Sequence, residues 1–220
     1  MILYIIPTPI GNFEDITLRA LRILNEVEIV FCEDTRNTRN LLKHFKIDKK
    51  CFAYHINNEH KKVENYIQWI QNGQMSALVS DAGTPGISDP GFLFIRECLA
   101  SGIEIECLPG ATALIPALVS SGFPCDKFYF HGFLPHKKGK ETTLKMLSER
   151  KETVVFYESP HRLVKTLTMM QNIFKPETKI CVSREISKIF EEHFRGTISE
   201  TLSHFSAKEV KGEIVVTIRN

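Results

Sequence analysis

The chain has 220 residues, 43% of them hydrophobic and 25% charged, which is typical of a folded globular protein. This length is enough for one large domain or two small ones. The formal net charge of +2 excludes a global positive field, so any contact with nucleic acid must come from local basic patches.

Strands and helices alternate from the first residue of the chain. We predict strands at residues 2–6, 28–32, 51–54, 77–80 and 104–107. Between them we predict a helix capped by Asp15, helices at residues 38–45 and 63–70, and a helix capped by Asp89. The last of these is expected to bury Phe92, Ile95 and Leu99 and to stop at Gly102. This alternation predicts a mostly parallel sheet covered by helices.

The pattern breaks at residues 120–124, where serine, glycine and proline are concentrated. We therefore predict an N-terminal α/β domain over residues 1–118 and a C-terminal α/β domain over residues 119–220. In the second domain we predict strands at residues 127–130, 153–157, 179–183 and 213–218. Helices are expected to begin at Glu141 and Pro160, the latter capped by Ser159.

The run of residues 81–91 is the most informative segment. It contains three glycines, two prolines and two aspartates, and it lies between a predicted buried strand and a helix, where α/β proteins place ligands. It matches neither dinucleotide nor P-loop phosphate motifs and has no lysine or arginine. Carboxylates at Asp81 and Asp89 favour a ligand with a positive sulfonium, an amino group and a ribose. The alternative is that Asp89 only caps its helix and Asp81 only braces the turn.

Three further turns follow predicted strands. Residues 7–12 form a stiff turn with two prolines and a glycine, and residues 109–113 are small enough to let backbone approach a planar ring. Residues 157–162 contain the predicted helix cap together with Glu158, His161 and Arg162, three residues that a helix cap does not need. Each is a candidate ligand contact, although residues 7–12 are equally compatible with a plain turn.

Polar and basic residues form three other candidate sites. Residues 33–39 could supply an acid for proton removal, with Arg36 and Arg39 binding a phosphate backbone, or could be a helix cap with surface charge. Residues 136–140 form a basic loop that suits either phosphate contact or plain solvation. Residues 54–60 contain two histidines whose spacing matches no zinc motif, so His55 is expected to act through hydrogen bonds.

The six cysteines, at positions 32, 51, 98, 107, 125 and 181, form no C-x-x-C pair. We therefore expect free thiols in a reducing cytoplasm rather than disulfides or a zinc site. The apolar start at residues 1–6 lacks the basic flank and cleavage site of a signal peptide, and no apolar stretch is long enough to span a membrane.

Together these motifs resemble the ribosomal RNA small subunit methyltransferase I family, within the tetrapyrrole methylase superfamily. The resemblance covers nearly the whole chain in matching order, and residues 81–91 are its most specific part. The motifs that carry it are residues 3–12, 33–36, 81–91, 109–113, 132–135, 156–162, 183–186 and 211–213. Many members have a further C-terminal segment, whereas this sequence ends directly after its last predicted strand.

The resemblance implies S-adenosylmethionine-dependent 2′-O-methylation of a cytidine ribose in the decoding region of 16S ribosomal RNA. It implies two α/β domains of the tetrapyrrole methylase type with a cofactor cleft between them, and a homodimer that acts on the small ribosomal subunit without metal or membrane.

The expected functional residues follow from these motifs. The proton acceptor is expected to be Asp34 or Glu33, with His55 as a further candidate. RNA contacts are expected from Arg36, Arg39, Lys137, Lys138 and Lys140. Cofactor contacts are expected from Pro9, Gly11, Asp81, Gly83, Thr84, Pro85, Gly86, Ile87, Asp89, Pro109, Gly110, Ala111, Thr112, Glu158, Ser159 and Pro160.

Three other functions remain open at the level of sequence. A methyltransferase of the same fold could act on a tetrapyrrole, although that substrate needs a broad apolar trough and residues 33–39 are strongly polar. A nucleotide-binding module without chemistry would use the same glycine-rich loops. An interaction protein would bind no small ligand, and equilibrium dialysis against S-adenosylmethionine would identify it.

Overall fold

The computed structural model describes residues 1–54, 59–207 and 209–220. The chain divides into two compact units, Met1–Thr112 and Ala113–Asn220. The boundary predicted between residues 118 and 119 falls inside a helix, Leu114–Ser121, that packs on strands of the second unit. Within the described ranges, no helix combines the length and the apolar character needed to cross a bilayer.

The first unit contains a five-stranded sheet in which every neighbouring pair is parallel. Its strands are β1 (Ile2–Ile5), β2 (Ile29–Cys32), β3 (Lys50–Ala53), β4 (Ser76–Leu78) and β5 (Glu104–Cys107), in the order β3-β2-β4-β1-β5. In register, Ile5 of β1, which lies between β4 and β5, is opposite Leu78 on one side and Cys107 on the other. Because all strands are parallel, the loops that follow them emerge at one edge, the carboxyl edge.

Helices cover this sheet on both faces. They are α1 (Leu18–Glu26), α2 (Thr35–His44), α3 (Glu59–Gln71) and α4 (Phe92–Ala100), and a short 3-10 helix spans Phe13–Asp15. Successive residues of β1 face opposite sides, so Leu3 and Ile5 pack in one apolar cluster, whereas Tyr4 packs against the other. Burial on both faces explains why β1 and β2 read as continuous apolar runs.

Two helix starts differ from the prediction. Asp15 ends the 3-10 helix, and α1 is capped instead by Thr17, whose hydroxyl accepts a hydrogen bond from the Ala20 N–H at 3.0 Å. Helix α4 begins after Gly91, whose φ of +142° favours glycine, and not at the predicted cap Asp89. Its buried face carries Phe94 and Cys98, while the predicted core residues Phe92 and Leu99 are exposed.

The second unit contains a mixed five-stranded sheet. Its strands are β6 (Phe128–Phe133), β7 (Thr153–Glu158), β8 (Lys179–Arg184), β9 (Glu192–Thr197) and β10 (Ile214–Arg219), in the order β6-β7-β10-β8-β9. Among its described strands only β6 and β7 pair in parallel, and the other three neighbouring pairs are antiparallel. The mostly parallel sheet predicted from the alternation of strands and helices therefore describes the first unit alone. Its helices are α5 (Leu114–Ser121), α6 (Lys140–Ser148), α7 (Pro160–Gln171) and α8 (Ile198–Ser206).

The core of the second unit lies between α6, α7 and α8 and one face of its sheet. Leu163, Leu167 and Met170 of α7 are fully buried there, as their helical spacing predicts. Pro160 occupies the first helical position, as predicted, and Ser159 is the capping residue, although its side chain makes no capping hydrogen bond.

Candidate functional site

Three loops meet at the carboxyl edge of the parallel sheet: residues 7–12 after β1, residues 81–91 after β4 and residues 109–113 after β5. We call them together the three-loop site. Thr8 and Gly83 form an antiparallel bridge in which each backbone N–H donates to the other's carbonyl at 2.9 Å. The Thr84 hydroxyl donates to the Ala111 carbonyl at 3.1 Å. The structure therefore brings together the three turns that the sequence predicted separately.

Glycine at position 110 allows two of these loops to touch. A Cβ at Gly110 would lie only 2.7 Å from Cβ of Pro7, closer than real Cβ contacts come. Gly83 instead needs its glycine for conformation, since its φ is +82° and a Cβ would meet only ordinary contacts, with Ile10 at 3.6 Å. These positions explain the small residues of the predicted motifs.

Two buried hydroxyls fix the start of the loop of residues 81–91. The Thr8 hydroxyl donates to the Ser80 carbonyl at 3.0 Å, and the Ser80 hydroxyl donates to the Gly83 carbonyl at 3.1 Å. Sequence analysis gave neither hydroxyl a role. The available signal was a serine directly after an apolar strand, where a buried polar group needs a partner.

The Asp81 carboxylate joins the three-loop site to the start of α2. Its Oδ1 accepts a hydrogen bond from the Asp34 N–H at 3.0 Å, and its Oδ2 accepts one from the Asn37 amide at 2.7 Å. Asn37 was not predicted as a site residue. The structure thus places the candidate proton acceptor Asp34 beside the candidate cofactor loop.

Asp34 itself is the capping residue of α2. Its Oδ1 accepts from the Arg36 N–H at 2.8 Å, and its Oδ2 accepts from Arg36 Nη2 at 2.6 Å. The hydrogen bond and charge of Asp34 raise the pKa of the Arg36 guanidinium. Glu33 is half-buried at the end of β2, and His55 lies outside the described residues.

Arg39 lies one helical turn after Arg36 and is exposed. Its side chain contacts Cys51 in the neighbouring strand β3. The pKa of the Cys51 thiol is lowered to about 7, and the largest cause is a hydrogen bond with Cys32. Burial opposes that shift, and the charge and hydrogen bond of Arg39 add to it. The contact with Cys51 and burial raise the pKa of Cys32 in turn. Both thiols are free, as expected from the cysteine spacing.

A buried ionic cluster in the second unit changes the expected roles of Lys140 and Glu158. Lys140, only 5% exposed, donates to Glu158 Oε2 at 2.8 Å, and Thr166 donates to the same oxygen at 2.6 Å. Oε1 of Glu158 accepts from the Ser159 N–H at 2.8 Å and pairs with Arg162 at 3.0 Å.

The prediction that Lys140 belongs to an exposed basic loop is therefore wrong. It is the first residue of α6 and points into the unit, whereas Lys137 and Lys138 are exposed. Glu158 is buried, and both of its oxygens have protein partners, which together argue against its expected contact with the cofactor. Ser159 and Pro160 are half-buried and remain predictions.

The fold and the glycine-rich carboxyl edge define a class of protein. The sequence model of the family described as "Tetrapyrrole (Corrin/Porphyrin) Methylases" matches residues 2–202. Solved structures agree on the fold: a cobalt precorrin-4 methyltransferase has a TM-score of 0.74 at 18% identity, covering 99% of this chain and 94% of that one. Uroporphyrin-III-C-methyltransferase from Thermus thermophilus has a TM-score of 0.68 at 19% identity, covering 98% and 93%.

Proteins of similar sequence identify the group within this family to which the chain belongs. The protein named ribosomal RNA small subunit methyltransferase I from Thermotoga maritima is 43% identical, with 98% of this chain and 97% of that protein covered. Proteins of the same name from Synechocystis and Escherichia coli O157:H7 are 44% and 43% identical, covering 99% and 98% of this chain and 78% and 77% of their own. This chain belongs to the ribosomal RNA small subunit methyltransferase I family of tetrapyrrole methylases.

Proposed function

We propose that this protein transfers a methyl group from S-adenosylmethionine to the 2′ oxygen of a cytidine ribose in the decoding region of 16S ribosomal RNA. The relatives' names support action on RNA of the small ribosomal subunit. The proposal depends chiefly on the three-loop site, whose loops are joined to one another by hydrogen bonds. These loops contain two aspartates and no lysine or arginine. Such a site suits a sulfonium better than a phosphate.

The residues of the three-loop site fit a flat, positively charged cofactor. Asp81, Ile87 and Gly110 are exposed at the carboxyl edge, and Asp89 is half-buried beside them. We propose that the carboxylates of Asp81 and Asp89 attract the positive charge, and that the small residues of positions 109–112 allow close approach to a ring. When bound, S-adenosylmethionine supplies an electrophilic methyl group on sulfur.

The chain's contribution to transfer is alignment and removal of one proton. Holding the ribose oxygen in line with the methyl group can lower the barrier by about 7–11 kcal/mol. We propose that Asp34 accepts the hydroxyl proton, with Glu33 as the alternative. Because the Arg36 guanidinium now donates to both oxygens of Asp34, proton acceptance requires the Arg36 side chain to turn toward another anion, and an RNA phosphate is such an anion.

Beyond the reaction itself, we propose that Arg36, Arg39, Lys137 and Lys138 contact the RNA backbone. We also propose a cytoplasmic homodimer, consistent with six free thiols. Sedimentation equilibrium of the purified chain tests the dimer, and a single species at 25.2 kDa would contradict it.

The test of function is a methylation assay with radiolabelled S-adenosylmethionine. The acceptors are small ribosomal subunits from cells lacking the modification, protein-free 16S RNA and a tetrapyrrole such as uroporphyrinogen. We expect label in RNA, and nuclease mapping should place it on one cytidine ribose. Label in the tetrapyrrole alone would overturn the proposal, and label on an RNA base would overturn the 2′-O assignment.

A further inference from the structure

The exposed face of α2 is a row of cations that begins beside the three-loop site. Leu41 and Leu42 face the core, while Arg36, Arg39 and Lys43 are exposed. Helix α2 contains no acidic residue, although its cap is Asp34. Lys43 lies seven positions after Arg36, so the row extends for about 10 Å along the helix. With a net charge of only +2 on the whole chain, this row is a local concentration of positive charge.

An exposed aromatic pair lies at the far end of this row. The Phe13 ring, 43% exposed, packs on the His44 ring with centroids 4.3 Å apart and planes 32° apart. Phe45 meets both rings edge-on, with its centroid 6.0 Å from that of Phe13 and 4.8 Å from that of His44. The pair is therefore held in place, with much of the Phe13 ring open to solvent.

We propose that Phe13, Arg36, Arg39, Lys43 and His44 form a surface that binds an unpaired segment of RNA. We call it the α2 surface. The cations pair with consecutive phosphates, and a base stacks on the open part of the Phe13 ring. This proposal rests on the proposed action on RNA and identifies which conformation of RNA is recognised.

The chemistry favours a single strand over a duplex. Base faces are hidden in a duplex, whereas an unpaired base offers its face to an aromatic side chain. Glu14 and Asp15, next to Phe13 in the 3-10 helix, repel phosphate at that end of the surface. A base is therefore the better occupant beside Phe13, and the phosphates belong beside α2. Because the row of cations begins beside the candidate proton acceptor Asp34, RNA bound along the row would place one of its riboses near Asp34.

The test measures binding of the full-length protein to a fluorescent oligoribonucleotide, free or annealed to its complement. Phe13→Leu keeps an apolar contact with His44 but removes the aromatic face, and Lys43→Gln removes one charge. Phe190→Leu and Lys165→Gln are matched controls, because both residues are exposed and lie in the other unit.

We expect Phe13→Leu to weaken binding of the unpaired strand about 5-fold or more, with little change for the duplex. Lys43→Gln should reduce the slope of log affinity against log salt by about 0.7. Wild-type affinity and slope in both variants, or equal losses in the controls, would overturn the proposal. Equal losses for strand and duplex would show that the surface binds backbone without recognising unpaired bases.

Two further measurements separate this proposal from the proposed function. Calorimetry with S-adenosylmethionine and transfer of label to RNA test the function in the wild type. If transfer occurs but Phe13→Leu and Lys43→Gln leave its KM unchanged, only the α2 surface is wrong. If the wild type binds no S-adenosylmethionine, the function fails, whatever the RNA affinities are.

Discussion

Gly110 occupies a position where any side chain would collide with Pro7. We predict that Gly110→Ala pushes the loops of residues 7–12 and 109–113 apart and weakens binding of S-adenosylmethionine. Overpacking costs about 1–3 kcal/mol, which corresponds to a loss of about 5- to 140-fold in affinity if the whole cost falls on ligand binding. Titration calorimetry measures the change.

Gly102→Ala is the matched control for Gly110→Ala. Gly102 lies in the same unit, and nothing is within 4 Å of its added Cβ, although its φ of +75° makes alanine strained. It should lower the free energy of unfolding by about 1 kcal/mol without changing the affinity for the cofactor. Unchanged affinity in Gly110→Ala would show that the contact with Pro7 does not shape the ligand site.

Asp34 is both a helix cap and the candidate proton acceptor, and asparagine separates these roles. Asn caps helices as well as Asp does, so Asp34→Asn should fold normally while losing the carboxylate. We predict a fall in kcat of about 10²-fold or more, with unchanged cofactor binding. Single-turnover transfer of label measures it.

Glu33→Gln is the parallel variant for the second candidate acid. If it abolishes transfer while Asp34→Asn retains the wild-type rate, the proton acceptor is Glu33. Wild-type rates in both variants would exclude both carboxylates.

Single residues were predictable where chemistry is local, and not where it depends on distant partners. Residue types alone drew attention to Asp81 and Gly110, which lie in the loops that the structure brings together at the carboxyl edge. The bonds from Asp34 and Asn37 to Asp81 cross more than forty positions, so no local pattern reveals them. The same limit explains Lys140, whose partner Glu158 lies eighteen residues away.

At the scale of elements, the ionic cluster of Lys140, Glu158, Arg162 and Thr166 joins α6, β7 and α7. Buried charges are tolerated only with partners, and Glu158 has donors at both oxygens. The cluster therefore fixes how these two helices meet the strand between them.

We predict that Lys140→Met lowers the free energy of unfolding by about 3 kcal/mol, because it leaves a buried carboxylate without its lysine. Lys138→Met is the control at an exposed position two residues away, and its effect should stay within about 0.5 kcal/mol. Urea denaturation monitored by circular dichroism measures both. Equal effects would show that the ion pair of Lys140 with Glu158 contributes no more to stability than an exposed lysine does.

Element types were predictable from hydrophobic periodicity, but some faces and boundaries were not. The predicted face of α4 was displaced by about one position, since the buried residues are Phe94 and Cys98 and not Phe92 and Leu99. Helix α5 was not predicted, because its mostly apolar sequence lacks the polar face by which a surface helix is identified. Helix α8 was not predicted either, although Thr197 and Glu200 form a capping box, which indicates the start of a helix.

At the scale of the whole molecule, each unit has its own buried core, and the three-loop site is built from the first unit apart from Ala113, the last residue of its third loop. The first sheet was predictable as parallel because its strands alternate with helices. The second was not, because β8 to β10 pair antiparallel around α8, and β9 is too polar to read as a strand.

Ligand linkage gives a prediction for the full chain. S-adenosylmethionine at a concentration 100 times its Kd should raise the free energy of unfolding by about 2.7 kcal/mol. AMP at the same concentration should stabilise the chain less, because its phosphate meets acids and no cation in the three-loop site. Urea titrations with each ligand measure the difference, and equal stabilisation would contradict the electrostatic basis of the proposed cofactor preference.

The bridge between Thr8 and Gly83 is made by main-chain atoms alone. Every amino acid except proline carries those atoms, so replacement of Thr8 preserves both bonds, whereas position 83 requires glycine because its φ is +82°. The side chains around this bridge can therefore change while the main-chain frame that joins the loops of residues 7–12 and 81–91 stays the same.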